Sequence, residues 1–267
     1  MHEPPAARAP RPRELLRDVA HRPVPLPDGP WVMVQRWHDL LFAHWPVAPE
    51  ALRAHVPVAL ELDTFDGAAW VGLVPFRMSG VRLRALPCVP GAAAFPELNL
   101  RTYVRHGAHR GVWFFSLDAA SALAVRAARA WFRLPYFEAR MACDEEQGEV
   151  RYRSARTHRD APSAELVARY APLAPVELAR AGTLAHFLTE RYCLFALARD
   201  GALLRADIHH RPWPLQRARA ELEHDTIGAA AGLALPGTAP LLHFARRLDV
   251  LIWRPRRVPT RVSAPEA

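Results

Sequence analysis

Four polar residues alternate along one short stretch of the sequence, FPELNLRTYV at residues 95–104. If this stretch is a strand, Glu97, Asn99, Arg101 and Tyr103 share one face, because successive side chains point to opposite sides of a sheet. A carboxylate, an amide, a guanidinium and a phenol all form directional hydrogen bonds, and a guanidinium binds carboxylates with two of them. Such a row is most often a solvated sheet face, but the strongly apolar neighbouring segments favour the wall of a polar pocket.

The short motifs of common nucleotide-binding and hydrolytic enzymes do not occur in this sequence. It contains no GxGxxG that opens a helix, no HExxH and no GxSxG. A P-loop is excluded because it needs a lysine, and all 35 basic residues are arginines. The 13 histidines occur without cysteines or carboxylates at ligand spacing, so the sequence predicts neither a metal site nor a cofactor.

Length and composition favour one folded domain. The chain has 267 residues, of which 51% are hydrophobic, which is enough to bury a core. We expect a flexible Pro/Arg-rich arm over residues 1–30, a single domain over residues 31–254 and a flexible tail over residues 255–267. The net charge of +8 suggests nucleic acid, but no arginine-dense helix and no aromatic-basic interleaving accompany it, so we expect no specific nucleic-acid partner.

The cysteines and the apolar runs indicate the compartment. Cys88, Cys143 and Cys193 lie far apart and form no CxxC pair, which predicts neither a disulfide framework nor a zinc knuckle. The N-terminus has no apolar signal-peptide core, and no run approaches the roughly 18 residues of a membrane span. We therefore expect a cytoplasmic protein without a membrane partner, and a homo-oligomer is compatible with the sequence.

Periodicity predicts a mainly β, α+β protein with a few helices. Helices are expected at residues 49–56, 121–132 and 183–192, with Thr183 as an N-cap and Asp118 capping the second of them. The remaining segments predict about ten short strands. Such a set is typical of an antiparallel barrel or of two packed sheets, and nothing repeats as the βαβ units of a Rossmann fold.

Several blocks, in order, together resemble one family. They are WHDLLFAHWPV (37–47), LELDTFDGAAWVGLVPFRM (60–78), FPELNLRTYV (95–104), GVWFFSLDA (111–119), RAWFRLPYFEARM (129–141), LTERYCL (188–194) and HRPWPL (210–215). The chain resembles the YqjF-like family of uncharacterised bacterial proteins over essentially the whole domain. The resemblance implies the fold of the acetoacetate decarboxylase-like superfamily, an antiparallel β-barrel with peripheral helices and a polar pocket inside.

One departure from that superfamily bears on the chemistry. The decarboxylase attacks a ketone with a lysine of depressed pKa and forms a Schiff base. In the matching stretch RLPYFEAR, the resemblance places Tyr136 where that lysine would stand. A phenol cannot form an imine, and the chain has no other lysine to replace it. The resemblance therefore implies the pocket but excludes Schiff-base decarboxylation.

The candidate site residues follow from the polar row and the resemblance. Glu97 and Tyr136 are the catalytic candidates, with Glu97 orienting an arginine or acting as a base and Tyr136 donating to a developing oxyanion. The candidates for substrate binding are Asn99, Arg101, Tyr103 and Arg129. The secondary candidates are Glu190, Arg191, Tyr192, His210 and Trp213.

Five of these candidates also have a structural interpretation. Arg129 fits a helix-surface charge as well as it fits a ligand contact, Glu190 and Arg191 fit a helix-end salt bridge, and His210 and Trp213 fit loop packing. The sequence predicts a small-molecule-binding protein with an anionic organic ligand. It is either a lyase, hydratase or isomerase acting on an oxo- or carboxylate-bearing compound, or a non-catalytic ligand-binding or protein-interaction module.

Overall fold

A computed structural model describes residues 11–259, and strands make up most of the regular structure. The strands of this part are β1 (Met33–Val47), β2 (Glu61–Leu62), β3 (Ala69–Leu83), β4 (Phe95–His106), β5 (His109–Ala119), β6 (Tyr136–Glu146), β7 (Glu149–Arg156), β8 (Glu165–Pro172), β9 (Glu177–Leu178), β10 (Cys193–Leu197), β11 (Leu203–His209), β12 (Pro214–Asp225), β13 (Leu241–Ile252) and β14 (Arg256–Arg257). The helices are α1 (Pro12–Leu15), α2 (Pro49–Arg53), α3 (Ala122–Trp131), α4 (Leu184–Thr189) and α5 (Ile227–Ala230). The prediction of a mainly β protein is confirmed.

The strands form one sheet whose pairings close two circuits. Strands β13, β1, β3, β4 and β5 are common to both. The first circuit is completed by β6, β7, β8 and β12, and the second by β10 and β11. Most neighbours are antiparallel, whereas β5 pairs in parallel with β6 and with β10. The shared strands are therefore covered on both faces.

Strand β4 has a different environment on each face. Leu98 and Leu100 pack into a core with Tyr152, Tyr170 and Phe244, whose strands belong to the first circuit. The alternate positions of β4 face the second circuit. Because both faces are covered, almost every residue of β4 is buried, and the alternation separates a packed aliphatic and aromatic side from a polar side.

The helices begin close to where the sequence predicts them. Thr183 caps α4 by accepting a hydrogen bond from the His186 amide. The prediction that Asp118 caps α3 is wrong, because Ser121 is the N-cap and Asp118 is buried against Arg156, with 2.9 Å between Oδ1 and Nε. Ser121 Oγ also donates to the Gly91 carbonyl at 2.7 Å. In the part of the chain that the structure describes, no helix is long and apolar enough to cross a membrane.

The described part of the N-terminal arm, residues 11–30, packs against the sheet. Leu15 is buried in a small cluster with Trp253, and Arg22 donates to the Ile208 carbonyl at 2.9 Å. These contacts differ from the flexible arm expected from the proline and arginine content, because apolar packing and several long-range hydrogen bonds hold the segment in place, among them the bond from Trp253 Nε1 to the Gly29 carbonyl oxygen at 3.0 Å. The rest of the predicted arm, residues 1–10, lies outside the described residues, as does 260–267 of the predicted tail.

The closure of the second circuit depends on a close approach between β5 and β10. A Cβ atom on Gly111 would lie 2.6 Å from the carbonyl oxygen of Cys193 and 2.7 Å from its Sγ. We predict that Gly111→Ala lowers the free energy of unfolding by about 1–3 kcal/mol, the usual cost of overpacking. Urea unfolding measures this loss.

The matched control for that measurement is Gly237→Ala, because a Cβ at Gly237 would meet nothing within 4 Å. The control is expected to change the free energy of unfolding by less than about 0.5 kcal/mol, as surface substitutions do. Equal effects of the two substitutions would contradict the close approach of β5 and β10.

Candidate functional site

A cavity of about 310 Å³ lies within the second circuit. Its lining includes residues from all seven strands of that circuit, from α3 and from the segment 84–94 between β3 and β4. The volume is at the lower end of the range of about 300–1,000 Å³ typical of small-molecule sites. Most of the lining side chains are apolar, and the polar ones come mainly from β4 and from the residues that follow α4.

Strand β4 directs three polar side chains into this cavity. Glu97, Asn99 and Arg101 line it and are only 4%, 5% and 8% exposed. Tyr103 continues the same face but lies fully buried beyond the cavity. The first three residues of the polar row therefore form a buried part of the cavity wall, and Tyr103 packs behind that wall.

Glu97 is held in a hydrogen-bonded, water-poor position. The Tyr136 hydroxyl donates to Glu97 Oε2 at 2.7 Å, and the Tyr152 hydroxyl donates to the Glu97 carbonyl oxygen at 2.7 Å. Burial raises the pKa of Glu97 to about 8, although the hydrogen bonds from Tyr136 and Asn99 oppose the shift. Glu97 is consequently a neutral carboxylic acid through most of the physiological pH range, and it forms no ion pair with Arg101.

Tyr136 stands at the start of β6 and reaches Glu97 from the neighbouring strand. The parallel register of β5 and β6 pairs Tyr136 with Leu117, and both side chains line the cavity. Burial, with the nearby Glu97 carboxylate next in importance, raises the pKa of the Tyr136 phenol well above its usual value. The phenol is therefore a hydrogen-bond donor at any ordinary pH.

Arg101 is a buried cation that lacks a carboxylate partner within residues 11–259. Its guanidinium carbon lies 5.4 Å from the ring centre of Phe42 and 5.7 Å from that of Tyr103. Nη2 donates to the Tyr103 hydroxyl at 3.5 Å, and the buried Nε has no hydrogen-bond partner there. A buried charge is costly to maintain without an opposite charge, so the second circuit holds a positive site at this position.

The hydroxyl of Tyr103 connects Arg101 to His44, which is not among the candidate residues selected from the sequence. Tyr103 Oη lies 2.6 Å from His44 Nε2. Burial, and secondarily the charge of Arg101, lowers the pKa of His44 well below its usual value, so the imidazole is neutral and its Nε2 can accept a hydrogen bond from the Tyr103 hydroxyl. Gly72 permits this contact, because a Cβ there would lie 3.0 Å from the His44 ring. The sequence signal was present only as a histidine in an apolar strand.

The secondary candidates after α4 divide into two groups. Arg191, His210 and Trp213 line the cavity. Arg191 does not form the helix-end bridge with Glu190 that local spacing suggested; its Nη1 donates to Asp63 at 2.5 Å. Asp63 lies 128 positions away in the sequence, so no local pattern could have predicted this pair.

The other candidates lie behind the cavity lining. Glu190 accepts hydrogen bonds from the Tyr192 hydroxyl and, at 2.9 Å, from the Trp213 amide. Arg129 is exposed on α3, and its Nη1 donates to the Tyr136 carbonyl oxygen at 2.6 Å. The structure therefore places Arg129 outside the cavity, as a support for the backbone of Tyr136. Glu190 and Tyr192 support the backbone of Trp213 and the residues after α4.

Four buried polar atoms around the cavity have no hydrogen-bond partner within the described residues. Three are donors and one is an acceptor: Arg101 Nε, Arg191 Nη2, Trp213 Nε1 and Asn99 Oδ1. Buried polar atoms in folded proteins are almost always hydrogen-bonded. The excess of donors shows that an occupant of this cavity would have to supply mainly acceptor oxygens.

Sequence comparisons identify relatives that cover almost the whole described part. The sequence profile of DUF2071, a family described as "uncharacterized conserved protein", matches residues 34–249. Over 234 residues the chain is 47% identical to the uncharacterized protein YqjF of Bacillus subtilis (strain 168), covering 88% of this chain and 96% of that protein. The resemblance drawn from the sequence blocks is thereby confirmed.

Solved structures of similar fold come from the acetoacetate decarboxylase-like group. The enduracididine biosynthesis enzyme MppR complexed with pyruvate superposes with a TM-score of 0.60 at 13% identity, covering 87% of this chain and 92% of that chain. Acetoacetate decarboxylase from Legionella pneumophila subsp. pneumophila str. Philadelphia 1 gives 0.57 at 14% identity, covering 98% and 100%. At such identities the likeness establishes the fold and nothing about the ligand of this chain.

The raised pKa of Glu97 predicts a specific dependence of stability on pH. The unfolded chain releases this proton near pH 4.5, whereas the folded protein retains it to about pH 8, so the folded state binds more protons between these values. Stability contributed by the neutral acid is complete below pH 4.5 and falls as pH rises through this window. We predict that Glu97→Gln removes this slope, because its amide stays neutral throughout.

Chemical denaturation at pH 5, 7 and 9 checks the prediction. The variant and the parent protein should be of similar stability at pH 5, and the variant should be the more stable at pH 9 by an amount on the order of 4 kcal/mol. A parent protein whose stability rises from pH 5 to pH 9 relative to the variant would contradict a neutral buried Glu97.

Proposed function

The chain belongs to the DUF2071 family, and on that premise we propose that it binds a small organic anion in the cavity of the second circuit and moves a proton on it. The observation that carries this proposal is the buried guanidinium of Arg101, which lacks a carboxylate partner among residues 11–259. In this proposal the second circuit acts as a β-barrel whose strands are antiparallel except for the β5–β10 pair; its wall includes β4, and α3 and α4 pack at its periphery.

The anion is the part of the ligand that the site constrains most strongly. Arg101 provides a full positive charge, and Arg191, whose charge is shared with Asp63, provides a further unpaired donor. A carboxylate accepts from a guanidinium through two parallel hydrogen bonds. A bound carboxylate would therefore satisfy the unpaired donors and neutralise the buried charge at the same time. The side-chain amide of Asn99 can donate or accept a hydrogen bond.

Proton transfer is assigned to Glu97 and Tyr136. A carboxylic acid with a pKa near 8 can give its proton to a carbon or oxygen atom next to a carbonyl and can take it back later in the cycle. Tyr136 donates a hydrogen bond to the oxygen that gains negative charge. Lyases, hydratases and isomerases acting on oxo- or carboxylate-bearing compounds all require such a proton transfer. Because the chain has no lysine, the reaction proceeds without a Schiff base.

The cellular setting in this proposal is the cytoplasm. Cys88, Cys143 and Cys193 are all free thiols, which suits a reducing compartment. The enzymatic proposal needs no cofactor. The same cavity without turnover would make the protein a ligand-binding module, and the fate of the bound compound distinguishes these two functions.

We predict that Arg101→Met abolishes binding of small organic acids without destabilising the protein. Removing an unpaired buried charge and keeping its volume is expected to leave the free energy of unfolding unchanged or raise it by about 1–3 kcal/mol. Thermal-shift titration with short 2-oxo acids and their saturated analogues measures both quantities. Acids that stabilise the parent protein should give no shift with the variant.

Arg82→Met is the matched control, because Arg82 also lines the cavity but is partly exposed. The control should retain the acid-dependent shift within about threefold in apparent affinity. Equal stabilisation of all three proteins by the acids would contradict the anion site.

Products formed by the parent protein but not by Glu97→Gln or Tyr136→Phe would establish catalysis, whereas unchanged bound acid would establish a binding module.

A further inference from the structure

The polar and apolar parts of the cavity lining lie at opposite ends of β4. Phe95 is the first residue of the strand and Arg101 is six residues further on, a separation of about 20 Å at the usual rise per residue. The side chains of Phe95, Glu97, Asn99 and Arg101 line the cavity in this order. The polarity of the wall therefore increases along β4 toward Arg101.

The end of the cavity beyond Arg101 is closed. Tyr103 lies there between two guanidinium groups, with the guanidinium carbon of Arg191 at 4.8 Å and that of Arg101 at 5.7 Å from its ring centre. Tyr103 packs with Phe187 and Leu188 of α4, and all three are buried. An anion held by these arginines would therefore occupy the inner end of the cavity, away from solvent.

The opposite end opens to solvent between the segment 84–94 and α3. Leu86, Val89 and Leu123 line the cavity and are nevertheless 53%, 50% and 53% exposed. The hydrogen bond from Ser121 to the Gly91 carbonyl holds this segment next to the start of α3. Three large apolar side chains thus surround the mouth, which we define as Leu86, Val89 and Leu123.

The wall between the mouth and the inner end is apolar on the strand next to β4. Met78 pairs with Phe95, Phe76 with Glu97 and Val74 with Asn99, and all three β3 side chains line the cavity. A short, fully polar acid would leave this apolar wall without contacts. A chain of methylene groups would cover it and gain the usual hydrophobic free energy.

We infer that the ligand is an amphipathic carboxylic acid whose carboxylate lies beside Arg101 and Arg191 and whose apolar chain extends along β3 and β4 to the mouth. This inference rests on the proposed function, because it takes Arg101 as the anion site. It adds the substrate class, namely straight-chain acids with an extended apolar chain, and it places the reacting part of the chain beside Glu97 and Tyr136.

Titration calorimetry with straight-chain 2-oxo acids of increasing length tests the inference. Affinity should rise about fourfold for each added methylene group until the chain reaches the mouth, and then level off. Leu123→Asp should weaken binding of the long acids about tenfold and leave the shortest acid unchanged. The matched control is Leu178→Asp, because Leu178 is 61% exposed on β9 and should not alter binding of any acid.

The outcomes separate this inference from the proposed function. Affinities independent of chain length, or equal behaviour of Leu123→Asp and Leu178→Asp, would overturn the inference; the anion site would still stand if Arg101→Met abolished binding of every acid. Primary alcohols that bind as tightly as acids of equal length, with no effect of Arg101→Met, would overturn both. Loss of binding in Arg82→Met with retention in Arg101→Met would reverse the orientation and overturn both the inference and the anion site at Arg101.

Discussion

The arrangement of this protein depends on one buried positive charge that no carboxylate neutralises within the described residues. Other buried arginines have acidic partners: Arg36 has Asp249, Arg156 has Asp118, Arg191 has Asp63 and Arg205 has Asp207. Arg101 lies instead between aromatic rings and a tyrosine hydroxyl. Aromatic faces and one neutral hydroxyl compensate a desolvated guanidinium only in part. The remaining positive electrostatic potential is available to an anion, which is why we interpret the cavity as a binding site.

Burial has opposite outcomes for the charges of Glu97 and Arg101. Burial favours the neutral form of a carboxyl group by a large margin, whereas a guanidinium stays protonated in proteins. Four residues apart on one face of β4, the two groups therefore give the cavity a net positive charge instead of an internal ion pair. A Glu97 carboxylate paired with Arg101 would have left neither an anion site nor a proton to donate. The two circuits make this possible, because the alternate residues of β4 fill a dry core on the other face.

Much of the site was predictable from local patterns, and the remainder was not. The alternation in FPELNLRTYV placed Glu97, Asn99 and Arg101 on one face, and the apolar flanking segments correctly favoured a sheltered wall. Ion pairs between residues far apart in the sequence, such as Asp63 and Arg191, leave no pattern in the local sequence that could predict them. Asp118 resembled a helix cap because capping residues share its chemistry, but a long-range ion pair with Arg156 determined its position. Proline and arginine content likewise did not show that the arm is fixed, because the packing of Leu15 against Trp253 and the hydrogen bond from Arg22 to the Ile208 carbonyl are made with residues far away in the sequence.

The Nε–H group of Arg101 is the unpaired donor that a bound anion would contact, and nuclear magnetic resonance observes this group directly. In a ¹H–¹⁵N spectrum of arginine side chains, the Nε–H resonance of Arg101, assigned by its loss in Arg101→Met, should shift on titration with a 2-oxo acid. The Nε–H of Arg156, which is buried and already bonded to Asp118 at 2.9 Å, should stay in place and serves as the internal reference. A saturable shift of the Arg101 resonance is expected, with no shift of the Arg156 resonance. An Arg101 resonance that does not move while the acid binds elsewhere would contradict the anion site at Arg101.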